Sequence, residues 1–185
     1  MIKSRRNFLR TAGLLACGTA LAACTVTKSG NVTSVTLNVA KVDAYAQAAK
    51  NFAGTILSVP LVTSALGSGR VTIINACVTG IVVAIDQFDS AANGAATVSY
   101  DSTSVKTAVN SVIADLQTVL TYAKQGISGI ESTASTADTI SKVNMAISAA
   151  ETVLSLLTAL IVSVGVARMA PTPMSEASAL AVLGV

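Results

Sequence analysis

From Ile140 to Val164 apolar residues recur at alternating spacings of three and four: Ile140, Val143, Ile147, Ala150, Leu154, Leu157, Ile161 and Val164. An α-helix turns once every 3.6 residues, so this series stacks along one side of a single helix. A strand, whose faces alternate every two residues, cannot present it. Three earlier segments repeat the pattern. Val42, Tyr45, Ala49, Phe52, Ile56 and Val59 form the first seam, and Ile74, Cys77, Ile81, Ala84 and Phe88 the second, with Val78 and Ile85 widening it. Val105, Val109, Val112, Leu116, Val119 and Ala123 form the third, flanked by Ile113 and Leu120. A helix with one apolar stripe must bury it against another helix. Four stripes joined by short links predict an all-α fold, an antiparallel up-down four-helix bundle.

The punctuation between the seams sets its boundaries. The first segment runs from about Thr36 to Leu66, is kinked or split near Pro60, and ends at Gly67-Ser68-Gly69. The second runs from Val71 to about Ala92; its β-branched content favours a strand, but it is far longer than an average one, which decides for helix. Asn93-Gly94 to Tyr100 reads as a loop, after which Asp101 or Ser102 can cap the third helix by accepting a backbone N–H. Gly126 to Thr136 reads as the next turn, and Pro171 and Pro173 stop the fourth helix. The bundle is thus expected over 36–170, followed by a Pro-containing apolar tail, 171–185, that packs or frays. Thr25 to Ser34, rich in Ser, Thr, Asn and Gly, reads as a flexible tether, 24–35.

Residues 1–23 are set apart. Ser4-Arg5-Arg6-Asn7-Phe8-Leu9-Arg10 precedes an apolar stretch, Ala12 to Ala23, that closes on Leu21-Ala22-Ala23-Cys24. A basic head with a short apolar run is a targeting segment and does not belong to the fold. The first block resembles the twin-arginine (Tat) export motif, with Arg5, Arg6, Phe8 and Leu9 at its defining positions and Arg10 replacing the usual Lys. The second resembles a bacterial lipobox formed by Leu21, Ala22 and Ala23. That resemblance implies cleavage of residues 1–23 and acylation (palmitate among the acyl groups) of Cys24 as the new N-terminus. Leu14-Leu15-Ala16-Cys17 is a poorer lipobox, because it leaves too little apolar chain ahead of it. Thr25, rather than Asp, after the lipid-bearing Cys implies the outer membrane if the host is Gram-negative.

Removing the leader changes the charge balance. Lys3, Arg5, Arg6 and Arg10 hold four of the twelve basic residues, so residues 24–185 carry eight bases against nine acids, a net charge of −1. The sequence pI of 8.9 belongs to the leader. With no basic patch and 3% aromatic residues, nucleic acid is not an expected partner. Once Cys24 is acylated and Cys17 removed, Cys77 has no disulfide partner; flanked by Ile74, Val78 and Ile81, it reads as a small buried hydrophobe.

The residue types that do chemistry are scarce. The chain has no His, which removes the commonest general base and metal ligand, so no metal or cofactor is expected. Asp86, Asp89, Asp115 and Glu151 are the candidates for carboxylate acid–base work, with surface or capping roles as the simpler assignment. No nucleophile elbow, P-loop or dinucleotide motif occurs. The expected protein is therefore not an enzyme.

Only 11% of residues are charged, and Ser and Thr supply much of the polarity. Such a surface repels partners weakly and favours association, with an envelope protein or with itself. Three uncharged runs, 51–69, 71–85 and 152–167, are too diluted or too short to span a bilayer comfortably. The expected function is an exported, lipid-anchored, periplasm-facing interaction or structural module. The alternatives are a membrane-active bundle inserting its second and fourth helices, or a carrier of an apolar ligand in the bundle core.

Overall fold

The computed structural model describes residues 24–29, 32–130, 136–162 and 173–185. The leader residues Arg5, Arg6, Phe8, Leu9, Leu21, Ala22 and Ala23 lie outside the described residues, as does Val164. The described chain is mostly helical, as its periodicity predicts, with one small sheet added. Strands β1 (Cys24–Ser29) and β2 (Val32–Asn38) precede helices α1 (Val39–Ser58) and α2 (Pro60–Ala92). Strand β3 (Thr97–Ser99) then leads to α3 (Thr103–Ser128), α4 (Ala137–Val162) and α5 (Glu176–Val182).

The sheet corrects the expectation of a flexible tether at 24–35. β1 and β2 pair antiparallel, from Cys24 opposite Leu37 to Ser29 opposite Val32, and β2 pairs in turn with β3. Counting Thr only as a hydroxyl residue hid this; it is also β-branched, and with Val26, Val32 and Val35 it gives both segments strand preference. Val35 and Leu37 are buried while Ser34, Thr36 and Asn38 between them are partly open, the alternation of a half-buried strand. β3 likewise lies inside the stretch expected as loop.

Local chemistry explains the helix ends. Asn38 caps α1, its side-chain oxygen accepting from the Lys41 N–H at 3.1 Å. α1 stops at Ser58 because Pro60 has no N–H to continue the ladder; Pro60 instead takes the first turn of α2, where none is needed. Gly67 (φ 76°, ψ 164°) is not helical, so α2 is two helices meeting across a kink, and the break foreseen at Gly67-Ser68-Gly69 falls where they meet. Asn93 (φ 47°) and Gly94 (φ 76°) close α2 in the left-handed region. Ser102 occupies the cap position of α3, but its side chain makes no capping bond. Asp101 is engaged elsewhere, accepting from the Ser34 hydroxyl at 3.0 Å and so joining β2 to the start of α3.

The four long helices share one core. The α1, α2 and α3 seams are buried as read, with Val59 and Val78 at the margin. α4 differs: Val143, Ile147, Ala150 and Leu157 are buried, but so are Ala146, Ala149, Val153, Leu156 and Leu160 beside them. The heptad series marks one edge of a wider face, because α4 packs against α1, α3 and α5. Thr152, fully buried there, donates its hydroxyl to the Ser148 carbonyl at 3.0 Å.

The tail is α5, docked by specific contacts. Ser175 accepts from the Ser178 N–H to start it. Glu176 then receives hydrogen bonds from Lys41 Nζ (3.1 Å) and the Tyr45 hydroxyl (2.8 Å). Asn51 Nδ2 donates to the Leu183 carbonyl at 2.8 Å, and Ala179 and Leu183 are buried.

Candidate functional site

Cys24, the expected lipid-bearing residue, opens β1 opposite Leu37, one residue before the α1 cap. Paired Cα atoms in an antiparallel ladder lie about 5 Å apart, so the backbone at Cys24 is held beside β2, the strand that leads into α1. β3, on the other side of β2, follows α2 by a four-residue turn, which puts the sheet at the end where α1 starts and α2 finishes.

The structure separates the four candidate carboxylates. Glu151 on α4 pairs with Lys124 on α3 at 2.6 Å, an exposed interhelical ion pair. Asp86 lines an open groove of about 680 Å³ between α2 and α3, with Val83, Gln87, Thr103, Ser104 and Thr107. Asp115 on α3 lies against Cys77 and Gly80 of α2. Burial pushes its carboxyl above the ordinary value, partly offset by the thiol that donates to it. Gly80 leaves room for this contact, since a Cβ there would displace the Asp115 carboxylate. Burial also pushes the Cys77 thiol up to about 11, and the neighbouring Asp115 charge adds to the shift. A thiol held protonated in this way is a poor nucleophile.

Asp89 is the exception, because it meets a residue that sequence reasoning missed. Asp43 of α1 faces it, and the Asp43 carboxyl is pushed up to about 6, first by burial and then by the Asp89 charge. Its Oδ1 is buried without a hydrogen-bond partner. Two carboxylates, one with a raised pKa, are the pairing that acid–base catalysis uses. The void beside Asp43, lined by Val42, Phe88, Val109 and Leu157, measures about 10 Å³, at the lower limit for one water, while Asp89 is exposed. No signal local to Asp43 could have exposed the pair, since its partner lies on another helix.

Burial, then the Glu176 carboxylate, raises the pKa of the Tyr45 phenol, keeping it a hydrogen-bond donor. Among the described residues no group of three or more Cys, Asp or Glu side chains could hold a metal ion. α2 and α4 are long and apolar enough to cross a membrane by length and composition; a third of the most apolar α2 window is buried in the fold, and half of that in α4. Comparison of the chain with protein-family models, curated proteins and solved structures finds no match.

Proposed function

We propose that this chain is an exported lipoprotein, anchored through acylated Cys24, whose helices form a non-enzymatic interaction or structural module of the cell envelope. The observation that carries the reading is the sequence from Ser4 to Cys24, where a twin-arginine-like block and a lipobox-like ending stand at working distance. The pairing that holds Cys24 beside β2 is compatible with it. For the body we propose an antiparallel up-down four-helix bundle. Its support is pairwise: Asp43 near the start of α1 meets Asp89 near the end of α2, and Val62 near the start of α2 approaches Gly126 near the end of α3. Lys124 late in α3 meets Glu151 midway along α4. A carrier of an apolar ligand in the bundle core is less favoured, since such sites need some hundreds of Å³ and the core void beside Val42 and Leu157 measures about 10 Å³, the groove of about 680 Å³ at Asp86 lying open at the surface.

Labelled palmitate tests the anchor. Wild-type chain is expected to take up label and fractionate with membranes, the outer one in a Gram-negative host. Cys24→Ser should be unlabelled and released, and Arg5→Lys with Arg6→Lys should stay in the cytoplasm. Unlabelled wild-type chain in the envelope fraction overturns the anchor. Crosslinking in cells then tests the module: a discrete protein captured only by the anchored form supports it.

A second reading is favoured by the open side of α2, which exposes Ile73, Val82 and Val83. In it, α2 and α4 insert as a membrane-active hairpin. Dye leakage from liposomes treated with Cys24→Ser chain would support that reading, and liposomes intact at high loading would remove it.

A further inference from the structure

The start of α1 and the end of α2 come together without a donor between them. The Asp43 carboxyl of α1 lies within hydrogen-bonding reach of the Asp89 side chain of α2, yet its Oδ1 is buried and unpartnered. Ionised carboxylates only accept hydrogen bonds, so two that face each other can be joined directly only through a proton. Hydration cannot stand in for that proton at Asp43. The void beside it is apolar and measures about 10 Å³, whereas a bare carboxylate taken out of water needs several partners. Asp89 is exposed, so protons from solvent reach the pair.

Among the described residues the other charged groups around this end are engaged or placed elsewhere. Lys41 of α1 is held by Glu176 of α5 at 3.1 Å. Lys106 of α3 lies over the Tyr100 ring, 6.0 Å from its centroid, and Asp101 accepts from Ser34. Glu151 of α4 pairs with Lys124, and Asp86 lines the groove between α2 and α3. Lys50 stands two turns further along α1, about 10 Å of axis from Asp43. Around Asp43 itself α3 and α4 present Ala108, Val109, Val112 and Leu157, none of them titratable.

We propose that Asp43 and Asp89 form an acid-tightened clasp: a proton shared by the two carboxyl groups holds the start of α1 against the end of α2, and its loss opens this end of the body. Once the proton leaves, two like charges face each other in a site that cannot hydrate one of them, and separation of the helix ends is what relieves both penalties. The sheet feels the same movement. Val39, one turn before Asp43, donates its N–H to the Ala96 carbonyl at 3.1 Å, and the Tyr100 N–H donates to Val35 at 2.8 Å. These bonds tie α1 to the turn after α2, and β2 to the segment after β3. Burial, then the Asp89 charge, pushes the Asp43 carboxyl up to about 6. The closed end therefore binds the proton more tightly than the open one, so closure is complete below about pH 4 and weakens as pH rises through about 6. The clasp does not depend on acylation of Cys24.

Nuclear magnetic resonance of the full chain in a neutral detergent tests the clasp. The Asp43 carboxyl carbon should titrate near pH 6. Asp89→Asn should lower that midpoint by roughly one pH unit, because the like charge is gone and an amide can donate in the proton's place. Exchange of the Val39 and Tyr100 amides, corrected for the intrinsic dependence of exchange on pH, should quicken roughly tenfold between about pH 4.5 and about pH 7.5. The Thr63 amide, which donates to Val59 at 3.0 Å at the opposite end of α2, should stay level. Asp43→Asn should keep Val39 and Tyr100 at their acid protection at both pH values. An Asp43 midpoint unmoved by Asp89→Asn overturns the proposal, since burial alone would then account for it. So does protection of Val39 and Tyr100 that ignores pH, or an equal loss at Thr63, which is unfolding of the whole body rather than opening of one end.

Discussion

α2 and α3 lie against each other along much of their length and treat solvent in opposite ways. α3 buries Val105, Val109, Val112, Leu116 and Val119 and turns Lys106, Asn110, Gln117 and Lys124 outward, with no large hydrophobic residue exposed. α2 buries an equally regular seam, yet leaves Ile73, Val82 and Val83 exposed among Thr72, Asn75, Thr79 and Asp86. The two surfaces therefore differ: α3 keeps its large apolar residues inward, and α2 leaves three of them in solvent. Regular seams make the inward halves equivalent, so the contrast lies outside.

Truncation of the inward halves should break the fold equally from either helix. Ile81→Ala on α2 and Leu116→Ala on α3, both fully buried, should each cost about 2–5 kcal/mol in chemical denaturation. A cost confined to one helix would mean that the two seams do not serve one core.

Gly80→Ala tests the contact between the helices. Alanine within a helix ordinarily gains about 0.5–1 kcal/mol over glycine. Here the added methyl must displace Asp115 from Cys77, so that gain is expected to be cancelled, leaving a net change within about 1 kcal/mol of zero. A gain in melting temperature would show that Asp115 moves aside freely.

Asp43→Asn probes the end of α2 that faces α1. The folded carboxyl binds its proton more tightly than the unfolded one, so its contribution is fully present below about pH 4 and is lost as pH rises to about 6. The amide should remove that slope and stabilise the chain at pH 7 by about 1 kcal/mol, the shift being discounted for the partial exposure of the site. Denaturation at pH 4 and pH 7 checks the sign. A steeper fall with pH in the variant would contradict it.

The smallest effect sharpens the contrast most. Val83→Ser on α2 and Gln117→Ser on α3 should each change stability by less than about 0.5 kcal/mol. In detergent-free solution, only Val83→Ser should lower the binding of a hydrophobic dye such as ANS. Equal dye binding by the two variants would erase the difference between the helices.

The seams were legible because each is a local pattern within one helix, where a spacing of three and four means one side. Leu116, Phe52 and Ile81 could be placed in the core from sequence alone. What escaped were relations between segments. β1 and β2 escaped because Thr25, Thr27, Thr33 and Thr36 count equally as linker hydroxyls and as β-branched strand formers, and only pairing decides. Asp43 escaped because its meaning comes from Asp89, on a different helix. The full width of the α4 face escaped because α5, the element that covers part of it, was read as a tail that packs or frays. Of the candidate carboxylates, Asp89 is the one that meets another acid among the described residues.

Glu176 meets Lys41 and Tyr45 across 135 and 131 residues of chain. α1 therefore closes against α5 only when a segment 131 residues further along the chain is present, and until then Tyr45 lacks the Glu176 carboxylate. Loss of α5 would leave an open seam along α1 rather than a slightly smaller version of the same body. The fold is thus closed by its most distant parts, so an incomplete chain and a misfolded one would look alike at this seam.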